Sequence, residues 1–98
     1  MTKLLAAAFA LAAAAAHAQD KPVARSLAAT CAACHGTDGR SVTSEVVSLA
    51  GLPKEHIVAQ MKAFRDGTRP ATVMQQLAKG YSDVQIEVIA DYFARRPR

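Results

Sequence analysis

The stretch Cys31-Ala32-Ala33-Cys34-His35 constrains this chain more than any other. It reads C-x-x-C-H, the spacing by which a c-type haem is attached. Two thiols three residues apart on one helical turn can each add to one vinyl group of a single porphyrin. His35 follows directly and is carried under the iron, where one imidazole nitrogen can bind it. Ala32 and Ala33 are small enough to let the ring lie close to the backbone. Other uses of the pair fit less well. A thioredoxin-like redox pair expects a βαβ setting, and no strand pattern surrounds these residues. A structural zinc site needs four ligands, and the other histidines are His17 and His56, with no further cysteine.

A covalent cofactor also answers a problem of size. The chain has 98 residues, one domain at most. Domains this small bury a limited core and often need a staple. One covalently held haem, a large apolar slab, is expected to serve. With two Tyr, three Phe and no Trp, the core is expected to borrow its bulk from that cofactor.

Residues 1–18 read as a cleaved signal peptide and residues 19–98 as the folded domain. Lys3 gives a positive start, Leu4 to Ala16 is an apolar run of 13 residues, and Ala16-His17-Ala18 is an A-x-A cleavage site. The run is short for a bilayer span, so no membrane anchor is expected after cleavage before Gln19. Export to a bacterial periplasm follows, where c-type haem is attached. Cleavage leaves 11 basic and 8 acidic side chains, a net charge of +3 before two haem propionates are counted. A nearly neutral holoprotein gives no reason to expect a nucleic-acid partner.

Three main helices are expected in an all-α fold. The first spans 22–34, with Pro22 at its first position and Val23, Ala24, Leu27, Ala28 and Cys31 at helical spacing. Asp38-Gly39 signals a turn, and Arg40 reads as a solvated turn residue. Residues 40–52 show no sustained period, and Val46, Val47 and Leu49 are expected to line the haem edge. A second helix has Pro53 at its first position, Ile57, Met61 and Phe64 on one face, and Gly67 at its end. His56 falls off that face and reads as a surface residue. Residues 68–81 read as a loop with a short helical turn near Gln75 to Lys79. In the last helix Ser82 and Gln85 form a capping box. Ile86, Ile89, Ala90 and Phe93 make its buried stripe, and Arg95, Arg96 and Arg98 crowd its end.

Haem iron with one His takes a sixth ligand or stays open, and methionine is common in electron carriers. Met1 leaves with the leader. Met61 sits at helical spacing and reads as core packing. Met74, on a loop, is the expected axial partner of His35.

The pieces together resemble a small bacterial class I cytochrome c. They are Cys31 to Gly36, Leu49-Ala50-Gly51, Phe64-Arg65-Asp66-Gly67-Thr68-Arg69, Met74, and Lys79-Gly80-Tyr81-Ser82-Asp83. The segment from Arg69 to Ser82 resembles the cytochrome subunit of flavocytochrome c sulfide dehydrogenases, and less closely the related free cytochromes. The resemblance implies axial ligation by His35 and Met74, thioethers at Cys31 and Cys34, and one-electron transfer. It implies a redox partner, a flavoprotein dehydrogenase subunit, or else a role as a free shuttle between respiratory complexes. The chain alone is expected to be no enzyme, with no catalytic residue. A haem-based ligand sensor with a weak or absent methionine bond is the remaining reading. The family often has a proline before Leu-Ala-Gly whose carbonyl faces the proximal histidine. Val46-Val47-Ser48 occupies that region here, and a carbonyl of this stretch is left to accept the His35 N–H. Lys62, Arg65, Arg69 and Lys79 lie near the Met74 segment and are expected to offer a basic surface to an acidic partner.

Overall fold

A computed structural model describes residues 22–98. The leader and its cleavage site lie outside the described residues. Helix α1 covers 22–29. It is followed by α2 (Ala32–His35), a 3-10 turn (Thr37–Gly39), α3 (Lys54–Asp66), α4 (Met74–Ala78) and α5 (Asp83–Ala94). The described residues contain no strand.

Local chemistry explains most of these limits. Ser82 Oγ accepts from the Gln85 amide, and Gln85 Oε1 accepts from the Ser82 amide, so the expected capping box is complete at the start of α5. Gly67 ends α3 in the left-handed conformation, with its amide donating to the Phe64 carbonyl. Pro53 is the cap of α3 rather than its first residue: its ψ of 136° is extended.

The first helix expected over 22–34 is in fact two pieces. The Thr30 hydroxyl donates to the Leu27 carbonyl at 3.0 Å, and the Cys31 amide reaches back three residues to Ala28. A hydroxyl that bonds its own helix competes with the ladder, and the three-residue bond tightens the turn. The helix resumes at Ala32, so His35 ends α2 instead of following it.

One core cluster joins the helices. It contains Ala28 of α1, Ile57 and Met61 of α3, Ala78 of α4, and Ile86, Ile89, Ala90 and Phe93 of α5. Helix α3 packs on both α4 and α5. Ile86, Ile89 and Phe93 are the largest fully buried side chains, each stabilising the fold by about 1.5–3 kcal/mol. The expected stripe of α5 is thus the buried one.

Two glycines let the chain turn back after α2. Gly36 adopts φ 86° and ψ 165°, a region essentially closed to other residues. A Cβ there would lie 1.8 Å from the Arg40 carbonyl oxygen. Gly39 lets the backbone meet α5, since a Cβ would come within 2.7 Å of Phe93 Cδ1. Tyr92 adds a tie by donating to Asp38 Oδ1 at 2.8 Å.

Arg65 and Asp83 link α3 to α5 at 2.7 Å. The guanidinium holds the Asp83 carboxyl below its usual range, chiefly by hydrogen bonding. A carboxyl with a lowered folded-state pKa favours the fold fully above its unfolded value. That contribution is lost as pH falls through the lowered one. Wild type is therefore expected to be more stable than Asp83→Asn at neutral pH, with the two melting temperatures converging below about pH 3.9. The gap is small, because the Asp83 side chain is 65% exposed. Thermal melts across the acid range check this, and a gap that grows on acidification contradicts it.

Candidate functional site

The C-x-x-C-H residues occupy one tight turn. The amides of Cys34 and His35 both donate to the Cys31 carbonyl, at 3.3 and 2.9 Å. Both thiols are free, with Cys31 half-buried and Cys34 exposed. Burial pushes the Cys31 thiol up from its ordinary value. A redox-active dithiol needs the opposite, a stabilised thiolate.

His35 is half-buried, and its ring is aimed by one bond. Nδ1 lies 2.7 Å from the Val47 carbonyl. A carbonyl only accepts, so Nδ1 carries the proton and the neutral ring keeps its lone pair on Nε2. Metal-ligating histidines almost always give their other N–H to such an acceptor. The stretch in place of the family's proline does supply an acceptor, from Val47.

Met74 opens α4 instead of lying on a loop. Its side chain is half-buried and packs against the core cluster, as Cys31 does. Met61 is 8% exposed within that core, in keeping with the packing role expected of it. His56 is exposed on α3.

This donor set fits a haem: an imidazole nitrogen with a set tautomer, a thioether sulfur, and two thiols on one turn. Val47, Val73 and Leu77 leave half or more of their surface uncovered. The concave surface of about 390 Å³ between α3 and α5, lined by Lys54, Lys62 and Glu87 among others, brings no thiol, imidazole or thioether together.

The expected basic surface is smaller than its residue list. Arg65 is committed to Asp83, with Asp66 at 3.6 Å. Arg69 lies 4.6 Å over the Phe64 ring and bonds Gln60. Lys62 is half-buried and Lys79 exposed. Arg40 is exposed, and its Nε donates to the Pro97 carbonyl at 3.1 Å.

The family model for cytochrome c matches residues 21–95. The chain is 44% identical over 77 residues to the cytochrome subunit of sulfide dehydrogenase of Chlorobaculum tepidum, covering 74% of this chain and 69% of that protein. It is 40% identical over 68 residues to cytochrome c-554(548) of Halomonas halodenitrificans, covering 66% of this chain and 82% of that one. A solved structure of cytochrome c4 from Acidithiobacillus ferrooxidans superposes with a TM-score of 0.63 at 36% identity, over 65% of this chain and 37% of its own.

Proposed function

The chain belongs to the cytochrome c family, whose members hold haem c covalently and carry electrons rather than catalyse, and from that premise we propose that it is a periplasmic one-electron carrier serving a flavoprotein sulfide dehydrogenase. Cys31 and Cys34 would hold the haem covalently, and His35 and Met74 would ligate its iron. Bound there, the haem supplies one Fe(III)/Fe(II) couple, and a methionine ligand raises its potential. The observation that carries the reading is the Nδ1 bond from His35 to Val47. It leaves Nε2 available and holds the ring in one orientation.

The chain's own residues do the rest. The half-buried Cys31 and Met74 both pack on the one core. Among the described residues no helix is long and apolar enough to cross a membrane. The periplasm is the compartment proposed, on the leader pattern of residues 1–18.

The likeness to a named sulfide dehydrogenase subunit supports the choice of partner. A second reading, a free shuttle between respiratory complexes, is favoured by the likeness to cytochrome c-554(548). A pull-down from the native periplasm separates them. A flavoprotein retained at stoichiometric level supports the first, and none retained supports the second. Lys62, Arg69 and Lys79 are the cations left to steer an acidic partner. Reduction rates by that partner are expected to fall as ionic strength rises. Rates that stay flat count against steering.

A further inference from the structure

Tyr81 joins parts of the chain that are far apart in sequence. Its hydroxyl lies 2.8 Å from Thr30 Oγ1, 51 residues away. The direction of this bond follows from its neighbour. Thr30 Oγ1 donates to the Leu27 carbonyl at 3.0 Å, and a hydroxyl has one proton to give. Tyr81 is therefore the donor and Thr30 the acceptor. At its other end, the Tyr81 carbonyl faces Arg65 Nη1 at 3.4 Å, and Asp83 fixes that guanidinium. The ring between packs against the core.

The segment that this grip controls is the one that begins at Met74. From Met74 to Tyr81 the chain is α4 and one tight turn, closed by the amides of Gly80 and Tyr81 on the carbonyls of Leu77 and Ala78. So short and internally bonded a piece moves as a unit. Its other end is held by fewer polar ties: Val73 gives no side-chain cap and is 57% exposed, and Met74 rests half-buried on the core. The firm attachments lie at its C-terminal end, on Thr30 beside Cys31 and on Arg65 of α3.

We propose that Tyr81 is a positioning residue for the axial methionine, its hydroxyl bond to Thr30 latching the Met74 segment to the helix turn that bears the haem attachment. The proposal rests on Met74 being the sixth ligand. Breaking the latch frees the segment to swing away without removing any group that touches the iron, so an added ligand competes more easily.

The test uses the oxidised holoprotein, with imidazole as the competing ligand. Wild type is compared with Tyr81→Phe, Thr30→Val, the double variant and Met74→Ala. Loss of one hydrogen bond is expected to tighten imidazole binding about fivefold in Tyr81→Phe. Thr30→Val should match it, and the double variant should go no further than either single, because both remove the same bond. In urea, the methionine-to-iron absorption band should disappear well before helix circular dichroism in the variants, with a wider gap than in wild type. A role in general stability alone would shift both transitions together. Tyr81→Phe with wild-type imidazole affinity and an unchanged gap overturns the proposal, even if Thr30→Val does not mature. If Met74→Ala keeps the band, the axial assignment itself falls. If Met74→Ala loses it while Tyr81→Phe behaves as wild type, the latch alone falls.

Discussion

His35→Ala is expected to give almost no holoprotein when exported through a working cytochrome c maturation system, whereas His56→Ala gives a wild-type yield. Wild type should weigh its chain from Gln19 plus one haem, and that haem should resist acid–acetone extraction. The difference between the two histidines lies in their surroundings. His35 ends α2 within one turn of both thiols, and its Nδ1–H is taken by the Val47 carbonyl. His56 lies exposed on α3, away from either cysteine in the chain. The effect of losing His35 is expected to be large because so small a domain is expected to lean on its cofactor. The described core is small, and its largest fully buried side chains are Phe93, Ile86 and Ile89. A domain of this size with so modest a core is marginal without a staple. Intact mass of the secreted protein decides the matter. Covalent haem at wild-type level in His35→Ala would place the proximal ligand elsewhere.

What could be read from the residues alone follows physical lines. The last helix was legible because its signals are local and repeated. Ser82 and Gln85 are three apart, and Ile86, Ile89, Ala90 and Phe93 recur at one turn's spacing. The haem signature was legible for the same reason, being five consecutive residues. Helix α4 was only half legible. Its five residues are too few to show a period, it has no side-chain cap, and it buries only Ala78. The break at Thr30 was hidden because the apolar spacing runs straight through it, while one hydroxyl bond to Leu27 decides the geometry. The contacts of Tyr81 with Thr30 and of Tyr92 with Asp38 join residues more than 50 apart, and no local pattern announces such pairs. The basic surface was legible only as a set of residues: counting charges cannot tell that Asp83 occupies Arg65.

Met74→Ala is expected to abolish the weak methionine-to-iron absorption band of the oxidised protein and to open the reduced iron to carbon monoxide. Met61→Leu is expected to do neither. Both methionines touch the same core, but they meet it differently. Met61 is 8% exposed inside the cluster formed with Ile57 and α5, a place where a thioether fills space. Leucine nearly conserves its volume there, so the change should cost less than about 1.5 kcal/mol of stability. Met74 is only half-buried at the first turn of a short helix, where its sulfur is not needed to fill the core. A thioether is a soft, neutral ligand that favours Fe(II) over Fe(III), so removing it lowers the reduction potential. The drop is expected to be on the order of a hundred millivolts, within the roughly 0.8 V that axial ligands span. A haem-based ligand sensor is distinguished by the same measurements, since it would bind carbon monoxide before any substitution. Spectra, potentials and carbon monoxide titrations of the two variants settle the assignment. The band lost in Met61→Leu and kept in Met74→Ala would move the axial ligand from α4 to α3.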